Sequence, residues 1–483
     1  MAVPEAAMHI GGTKRPASSG ALLDVLDPAT NRPIARVPAG TLEDVDAAVA
    51  AARTAFESKA WQGLDPSKRG RLLWLLGQQV RDHFDELARL ESLNVGKPIG
   101  EAKGDIAYVY KLFEYYAGLA DKIQGDTIPV PGDRLDYTLR EPVGVTAHIA
   151  PWNYPLLLAC RGIAPALAAG NAVVLKPATL TPLSALRLAE LGAASGLPPG
   201  ILNVVTGPGK EVGEALASHP DVDAVTFTGS TDTGRQVLRL VARHLTRVTL
   251  ELGGKNPQIV LRDARMDLAI RGVVAGAYQN AGQMCWAGSK LLLHEDLAPS
   301  FLPALKERVG AMRLGPGTRE DVQMGPLVSR DHASGVLAAI EDGVSAGSRL
   351  LAGGGRPDAP DLREGNFVLP TLLADAPPDS RVAREEVFGP VLCAWTFRDL
   401  DEAIARANDT PFGLSAGVWT QDVGKAHAIA RRLRVGMVSI NEYPVTFPQT
   451  PFLGWGASGL GEEQGIGATR FYTRTKNVLV NLG

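Results

Sequence analysis

The sequence predicts an α/β protein built around a parallel sheet. In residues 143–260, short apolar runs that read as strands alternate with segments of helical periodicity. Repeated strand–helix units of this length imply a parallel sheet with helices on its faces. Hydrophobic residues make up 45% of the 483 residues. Large cores can therefore form, and a chain of this length is expected to hold about two to four domains.

The N-terminal third is predicted to be mostly helical after a short arm. Residues 1–20 are polar and rich in glycine and proline, and we expect them to form a loosely held arm. Thr41 is a suitable N-cap, because Glu43 and Asp44 follow it in the first turn and complement the helix dipole. Further helices are expected at residues 67–83, 84–95 and 100–122, each with apolar residues at helical spacing.

Residues 125–140 alternate apolar and polar side chains around a Pro-Gly-Asp turn, which is typical of a hairpin. An isolated hairpin is barely stable in water. We therefore expect this one to pack against another part of the protein, and another subunit is one option.

Three strand ends in the alternating region carry residues suited to a ligand site, since parallel sheets bind ligands beyond the carboxyl ends of their strands. Lys176 ends one predicted strand, Gly229-Ser230 links another to a helix, and Glu251 ends a third. Each has an ordinary alternative. The lysine can be a solvated strand end, the Gly-Ser pair a helix cap, and the glutamate a turn residue.

Charge and cysteine content exclude several classes of function. The net charge is −3, and we find no basic stripe of the kind that nucleic-acid binding needs. No apolar run is long enough to span a membrane, and no secretory leader opens the chain. The three cysteines are widely separated, which argues against a disulfide framework and fits a reducing cytoplasm. Without a CxxC or HExxH motif, no metal site is expected.

Cys285 is the cysteine with the most suggestive surroundings. It follows an apolar run and lies between small and polar residues in Gly-Gln-Met-Cys-Trp-Ala-Gly. On its own it is more often an inert buried thiol than a nucleophile. The rest of the sequence has to decide between these alternatives.

Six motifs in a fixed order resemble the NAD(P)-dependent, hydrolytic branch of the aldehyde dehydrogenase superfamily. They are Pro-Trp-Asn-Tyr-Pro (151–155), Lys-Pro (176–177), Phe-Thr-Gly-Ser (227–230), Glu-Leu-Gly-Gly-Lys (251–255), Gly-Gln-Met-Cys (282–285) and Glu-Glu-Val-Phe-Gly-Pro (385–390). The resemblance covers essentially the whole chain. It implies oxidation of a small-molecule aldehyde to the acid through a cysteine hemithioacetal and thioester.

The resemblance also implies roles for single residues. Cys285 is the expected nucleophile, Asn153 the oxyanion donor and Glu251 the base that activates water. Lys176 is expected in the catalytic set and, with Glu386, at the ribose hydroxyls. The other cofactor contacts expected are Phe388 at the nicotinamide side, and Trp152, Gly229 and Ser230 at the pyrophosphate. Glu463 matches a glutamate with a proton-relay or a structural role.

One departure from the family pattern bears on the choice between NAD and NADP. The family often has a ribose-binding glutamate three residues after the strand-end lysine, and this chain has Thr179 there. A glutamate would repel a 2′-phosphate and a threonine would not, while Lys210 offers a favourable charge nearby. We therefore hypothesise that NADP is accepted as well as NAD.

The substrate pocket is expected to be aromatic, with Tyr154, Trp286, Phe447 and Trp455 on its loops. Such a pocket suits a cation, and the C-terminal stretches look like those of betaine aldehyde or aminoaldehyde enzymes. A broad aliphatic or aromatic aldehyde specificity is the alternative. A CoA-acylating enzyme is disfavoured by Glu251, and a non-catalytic structural homologue by the joint presence of Cys285, Glu251 and Asn153.

The resemblance divides the chain into three parts. Residues 1–122 and 143–252 are expected to form a Rossmann-like cofactor domain, and residues 253–440 an α/β catalytic domain. Residues 123–142 and 441–483 are expected to form a small β oligomerisation element. We therefore expect a homodimer or homotetramer, with neither nucleic acid nor membrane as a partner.

Overall fold

The computed structural model describes residues 3–483 and has the predicted α/β class. Its strands, in chain order, are β1 (Met8–Ile10), β2 (Thr13–Arg15), β3 (Leu22–Asp27), β4 (Arg32–Pro38), β5 (Thr127–Ile128), β6 (Arg134–Pro142), β7 (Val145–Ile149), β8 (Ala172–Lys176), β9 (Leu202–Val204), β10 (Ala224–Thr228), β11 (Arg247–Glu251), β12 (Pro257–Val260), β13 (Lys290–His294), β14 (Arg349–Ala352), β15 (Thr371–Ala374), β16 (Val391–Phe397), β17 (Phe412–Gly413), β18 (Ser415–Trp419), β19 (Met437–Ile440), β20 (Trp455–Gly456), β21 (Gly459–Leu460) and β22 (Thr473–Asn481).

The α-helices vary from single turns to a 21-residue helix. In chain order they are α1 (Leu42–Glu57), α2 (Lys59–Gln62), α3 (Pro66–Asp82), α4 (Phe84–Val95), α5 (Ile99–Leu119), α6 (Pro155–Ala168), α7 (Leu183–Ala194), α8 (Glu214–Ala217), α9 (Thr231–Val241), α10 (Met266–Tyr278), α11 (Ala298–Gly310), α12 (Arg330–Ser345), α13 (Arg381–Arg384), α14 (Leu400–Asn408), α15 (Val423–Arg432) and α16 (Ala468–Phe471).

The first large sheet has eight strands in the order β2-β1-β9-β8-β7-β10-β11-β21. Its five central strands, β9 to β11, run parallel, and antiparallel strands close both edges. Strand β8 is buried at all five residues, as expected for a parallel strand covered by helices on both faces. Its register aligns Lys176 with Ile149 of β7, while Glu251 of β11 is opposite Thr228 of β10. The carboxyl ends of these strands therefore lie at one edge.

The second sheet has seven strands in the order β14-β15-β16-β13-β12-β18-β19, and all except β14 run parallel. The chain passes from the first sheet to the second between Glu251 and Pro257. The loop that carries Cys285 leads into the amino end of β13. A site that joins Glu251 and Cys285 therefore lies between the carboxyl edge of one sheet and the amino edge of the other.

The predicted loose N-terminal arm is wrong for residues 8–15. Strand β1 pairs with both β2 and β9, and Met8 and Ile10 are fully buried in the first core. The strand has three residues, too few for an alternating pattern to show in the sequence. Tertiary packing at the edge of a sheet, rather than local propensity, makes this segment ordered.

The hairpin of β5 and β6 is part of a three-stranded sheet of order β22-β6-β5. All nine residues of β22 pair with β6, from Thr473 opposite Pro142 to Asn481 opposite Arg134. The C-terminal strand thus supplies support within the same chain.

Within residues 3–483, no helix is long and apolar enough to cross a membrane.

Candidate active site

Cys285 lies on the loop between α10 and β13, where the backbone follows an unusual path. Three residues before it have left-handed conformations: Asn280 (φ 49°), Ala281 (φ 54°) and Gly282 (φ 72°). Residues other than glycine lose on the order of 1–3 kcal/mol there. At Gly282 a side chain is also excluded, because a Cβ would lie 2.1 Å from the carbonyl oxygen of Gly389. The surrounding contacts must therefore hold the backbone that presents the thiol.

The side chain of Asn256 supplies three of those contacts. Its Nδ2 donates to the carbonyl oxygens of Cys285 and Ala287, each at 3.0 Å. Its Oδ1 accepts from the backbone N–H of Ser415 at 3.0 Å. Asn256 is 1% exposed, so water cannot replace these bonds, and they fix the position of the loop.

Asn153 lies just before α6 and is held against the same loop. Its Nδ2 donates to the carbonyl oxygen of Gln283 at 3.0 Å, and the amide of Asn280 donates to the Asn153 carbonyl oxygen at 2.9 Å. An amide nitrogen has two hydrogens. One N–H of Asn153 therefore positions the side chain, and the second is available to an oxygen beside the thiol.

Glu251 ends β11 and is 2% exposed. Both of its carboxylate oxygens are buried, and neither has a hydrogen-bond partner among the described residues. Burial raises the pKa of Glu251 well above its ordinary value, the negative charge of Glu463 adds to the rise, and Arg161 opposes it. Burial therefore favours the protonated form of this carboxyl group, and its two oxygens have room to bond a water molecule.

Two cavities meet at Cys285. One has a volume of about 390 Å³ and is also lined by Glu251, Asn153 and Ser230. The other has a volume of about 560 Å³, and its walls are largely apolar and aromatic. Only Cys285 and Leu158 line both. A thiol at this junction can reach a molecule in either cavity.

The thiol of Cys285 is protonated at neutral pH. Burial raises its pKa to about 12; Arg161 lowers this pKa, whereas Glu386 and Glu251 raise it further. Since the thiolate is the reactive form, attack by Cys285 must be coupled to the transfer of its proton to another group.

An aromatic cluster forms one wall of the 390 Å³ cavity. The ring of Trp152 meets those of Phe388 and His332 edge-on, with centroid distances of 5.3 Å in both cases. The His332 ring bonds the carbonyl oxygen of Phe388 at 2.7 Å, and Phe388 has a left-handed backbone (φ 54°). Phe388 is thus held in a strained conformation on the wall of the cavity, where its ring can pack against a flat ligand ring.

Glu386 packs over the glycine pair that follows Glu251. Its Oε1 accepts from the N–H of Gly254 at 3.2 Å, and a Cβ on Gly253 would lie 2.0 Å from its Oε2. Only a glycine at position 253 allows this close approach. Burial raises the pKa of Glu386 to about 8. The N–H of Gly254 holds this side chain in place, so an oxygen of Glu386 can accept a hydrogen bond from a hydroxyl group in this cavity.

The remaining predicted cofactor residues lie along the carboxyl edge of the first sheet. Ser230 caps α9, with its Oγ accepting from the N–H of Thr233 at 3.3 Å, and Gly229 precedes it. A helix N-terminus of this kind favours a phosphate. Lys176 is 3% exposed and donates only to the carbonyl oxygen of Pro177, so it has spare N–H groups for a ligand.

Two more residues flank this edge. Thr179 donates its hydroxyl to the carbonyl oxygen of Gly207 at 2.9 Å. Lys210 lies in a π-helical turn (Gly209–Gly213) and lines a third cavity of about 400 Å³. Together these residues provide a series of cavities with a cation, a carboxylate, a helix N-terminus and an aromatic wall. This donor set fits a dinucleotide.

The four predicted substrate residues are separated in the structure. Tyr154 and Trp286 line the 560 Å³ cavity, and Phe452 packs edge-on against Trp286 at 5.5 Å. Phe447 and Trp455 lie outside that cavity and are 53% and 51% exposed. Trp455 instead belongs to β20, which pairs with β17.

Several residues of the two cavities escaped the sequence analysis. Glu101, Asp105 and Tyr108 share one face of α5 in the 560 Å³ cavity, but the apolar spacing of this segment predicts only a helix and does not show which polar residues reach a cavity. Arg161 is the one charged residue of the apolar helix α6, and a single charge in an apolar helix is a pattern that could have indicated a functional residue. His332 gave no comparable signal. In the described part of the chain, no group of three or more His, Cys, Asp or Glu side chains is arranged to hold a metal ion.

Comparisons with known proteins agree with this geometry. The model of the aldehyde dehydrogenase family matches residues 15–478. The chain is 48% identical over 477 residues to a hydroxyisobutyraldehyde dehydrogenase of Mycolicibacterium austroafricanum, covering 98% of this chain and 94% of that protein. It is 41% identical to a betaine aldehyde dehydrogenase of Bacillus subtilis over 476 residues, or 98% of this chain and 97% of that one.

A solved structure is also similar over nearly the whole chain. It is the NAD+ complex of an aldehyde dehydrogenase from Bacillus cereus, which superimposes with a TM-score of 0.97 at 42% identity. The match covers 99% of this chain and 97% of that chain.

Proposed function

The chain belongs to the aldehyde dehydrogenase family, and on that basis we propose that Cys285 carries the oxidation of an aldehyde to a carboxylic acid through a covalent intermediate. Family membership makes the protein an NAD(P)-dependent oxidoreductase that acts on aldehydes. The supporting observation is the position of Cys285 between an apolar cavity and a cavity suited to a dinucleotide. A single thiol there serves both the aldehyde and the hydride acceptor.

The first step is the addition of Cys285 to the aldehyde. The thiol gives up its proton to a water molecule in the cavity, its sulfur bonds to the carbonyl carbon, and the carbonyl oxygen becomes negatively charged. The free N–H of Asn153 and the backbone N–H of Cys285 donate to that oxygen. Donors that are already fixed in place stabilise developing charge without reorganisation.

NAD+ bound in the 390 Å³ cavity would supply the hydride acceptor that oxidation of the hemithioacetal on Cys285 needs. Ser230 and Trp152 would contact its pyrophosphate, Lys176 and Glu386 its ribose hydroxyls, and Phe388 its nicotinamide side. The spare donors of Lys176 and the fixed carboxylate of Glu386 support these assignments.

The last step is hydrolysis, for which Glu251 is the base. Glu251 takes a proton from water, the water oxygen bonds to the thioester carbon, and the carbon–sulfur bond breaks to release the acid and the Cys285 thiolate. A carboxyl group whose pKa is raised by burial is a usable base near neutral pH. Because Glu251 serves hydrolysis, transfer of the acyl group to coenzyme A is the weaker alternative.

Replacement of Cys285 tests this proposal. We expect Cys285→Ala to abolish aldehyde-dependent reduction of NAD+. The matched control is Cys393→Ala, because Cys393 is a buried cysteine in the core of the second sheet and lines neither cavity. Full turnover by Cys285→Ala would overturn the mechanism and leave a non-catalytic role for this cysteine.

The cofactor proposal includes NADP. No carboxylate occupies position 179, where the Thr179 hydroxyl is already bonded to Gly207. Lys176 and Lys210 can both approach a 2′-phosphate from the neighbouring strand end and turn. The 2′-phosphate of NADP would be attracted to these two cations and would meet no carboxylate at position 179, which supports the use of NADP as well as NAD.

For the substrate we propose a cationic aldehyde such as an aminoaldehyde or betaine aldehyde. Among the charged groups of the 560 Å³ cavity, Asp105 pairs with Lys97 and Arg161 with Glu463, whereas Glu101 accepts only a backbone N–H from Asn280 at 2.8 Å. Burial raises the pKa of Glu101 to about 8. A cation bound nearby would favour the ionised form of Glu101, and the resulting carboxylate would attract the cation.

The alternative is an uncharged aldehyde, which the relative that acts on hydroxyisobutyraldehyde favours. A panel of aminobutyraldehyde, betaine aldehyde, hydroxyisobutyraldehyde, hexanal and benzaldehyde separates the two. If both cationic substrates gave the lowest kcat/KM, the cationic proposal would fail.

We also propose a homodimer or homotetramer in the cytoplasm, with residues 123–142 and 441–483 as the assembly element. The parts on either side would be a cofactor domain (1–122 and 143–252) and a catalytic domain (253–440). The three-stranded sheet exposes Leu135, Leu139 and Leu479 by 41%, 42% and 56%. Exposed apolar side chains on one small sheet are typical of a contact between copies. A monomeric mass by light scattering would contradict this proposal.

A further inference from the structure

Arg161 and Glu463 form a buried ion pair beside the proposed reaction centre. Nε and Nη2 of Arg161 donate to the same oxygen, Oε2 of Glu463, at 2.9 and 2.6 Å. Both side chains are 3% exposed, and the guanidinium stacks over the ring of Phe452 at 3.9 Å. A pair this deeply buried is costly to desolvate, so a role beyond stability is a reasonable expectation.

The pair belongs to a larger cluster with unequal charges. Glu251 and Glu463 are two buried carboxyl groups that share a single guanidinium. Oε1 of Glu463 and both oxygens of Glu251 have no partner among the described residues, and all bonds from Arg161 go to Oε2 of Glu463. Arg161 therefore binds Glu463 directly, whereas no cation contacts the carboxyl group of Glu251.

Arg161 also faces the thiol. It lines the 560 Å³ cavity together with Cys285, and its Nη1 makes no hydrogen bond within residues 3–483. We propose that Arg161 is a positioning residue for the reaction: it fixes the side chain of Glu463 through their ion pair, and it places a positive charge on the cavity wall that it shares with Cys285, where the thiolate would form. This inference rests on the proposed role of Cys285.

The other charged groups that act on the thiol do not favour the Cys285 thiolate. Glu251 and Glu386 raise the pKa of Cys285, and Arg161 is the side chain whose charge lowers it. The remaining titratable groups of these walls are Glu101, Asp105 and Tyr108 on α5, Tyr154 before α6, Asp331 and His332 on α12, and Arg381 on α13. Arg381 is the other arginine of these walls, and it pairs with two carboxylates, Asp342 and Glu385, whereas Arg161 pairs with Glu463 alone.

Alkylation of the full-length protein by iodoacetamide tests the proposal without aldehyde or cofactor. The rate at Cys285 is followed by peptide mass spectrometry as a function of pH. Each unit by which the thiol pKa rises reduces the thiolate fraction about tenfold. We expect Arg161→Met to slow alkylation at pH 8 by about tenfold, and Arg161→Lys, which keeps the charge, to restore most of the rate.

The matched control is Arg53→Met. Arg53 also pairs with a carboxylate, Asp223, at 2.5 Å, but on α1, away from both cavities. It should lose stability without any change in the alkylation profile. An unchanged profile in Arg161→Met, or equal slowing in Arg161→Met and Arg161→Lys, would overturn the proposal.

Glu463→Gln provides a second test if Arg161→Met does not fold. Loss of the Glu463 charge removes a group that raises the pKa of Glu251 and frees Arg161 to lower it. We expect the pH dependence of kcat to move to lower pH. A shift to higher pH would contradict the proposed role of Arg161. Because alkylation reads the thiol alone, a normal alkylation result in an enzyme that fails to oxidise aldehydes would refute the proposed function and not this inference.

Discussion

The amide of Asn256 donates a 3.0 Å hydrogen bond to the carbonyl oxygen of Cys285, and so ties the thiol loop to the segment that follows Glu251. The segment that holds Asn256 connects the two sheets, because Glu251 ends β11 of the first sheet and Asn256 directly precedes β12 of the second. The proposed base and nucleophile are thus held in register by one side chain.

Asn256→Ala should therefore impair catalysis as well as stability. It leaves two carbonyl oxygens and one N–H without partners in a buried site, at a cost of about 1–3 kcal/mol for each such group. We expect a lower melting temperature and a fall in kcat of about tenfold or more. The measurement is steady-state kinetics beside thermal unfolding.

The control for that experiment is Asn171→Ala. Asn171 is fully buried and also makes three hydrogen bonds to the backbone, with Gly144, Ala166 and Tyr472, but it lies in the core of the first sheet. It should lose comparable stability and keep kcat. Equal loss of kcat in both variants at a temperature where each is folded would contradict a specific role for Asn256.

The pH dependence of the reaction should follow the two proton carriers. The pKa of the Cys285 thiol is raised to about 12 and that of Glu251 is raised by burial, so the deprotonated, reactive fraction of each group grows as the pH rises. We expect kcat/KM to increase from about pH 6 to 9. Glu251→Gln should reduce kcat by about 10²–10⁴-fold, the usual contribution of a general base. A kcat/KM that falls over this pH range would contradict the proposal that Cys285 and Glu251 react in their deprotonated forms.

A carboxylate at position 179 should abolish use of NADP. Thr179→Glu would face a 2′-phosphate near Lys176, whereas the ribose hydroxyls of NAD could still donate to it. We expect kcat/KM with NADP to fall by about tenfold or more and that with NAD to change little. Thr179→Val, which removes only the bond to Gly207, is the control. Strong discrimination against NADP in the unmodified protein would already contradict the proposal.

Glu101 should select charged substrates. Glu101→Gln keeps an acceptor for the N–H of Asn280 but cannot ionise. We expect the KM for aminobutyraldehyde to rise by about tenfold and the KM for hexanal to stay unchanged. Because the pKa of Glu101 is raised to about 8, its charge grows as the pH rises through that value, so the preference for the cation should be greater at pH 9 than at pH 7. An equal rise of KM for both substrates would indicate a structural role.

The sequence was informative where chemistry depends on residue type and order. The alternating strands, the Gly-Ser turn at α9 and the strand-end positions of Lys176 and Glu251 follow from apolar periodicity and from the rule that ligands bind at carboxyl ends. Helix α4 begins and ends at the predicted residues. Its end could be predicted because Gly96 follows it, and this glycine has the left-handed conformation (φ 92°) that ends many helices.

The parts that were missed depend on contacts between distant segments. Strand β1 is too short for its own pattern and exists only through its pairing with β2 and β9. Phe447 and Trp455 are aromatic like Tyr154 and Trp286, so residue type alone could not separate the pair that lines the cavity from the exposed pair. The partner of Arg161 lies at position 463, and no local pattern links the two.

The most direct test of the central claim is the trapping of the acyl group on Cys285. In Glu251→Gln the thioester should form and hydrolyse slowly, so a single turnover with aldehyde and NAD+ should release about one equivalent of NADH per active site. Mass spectrometry should then locate the acyl group on the peptide that contains Cys285. The account predicts that adduct there, and its absence from the same experiment with Cys285→Ala. NADH production with no acyl group on Cys285, or with the group on another residue, would contradict it.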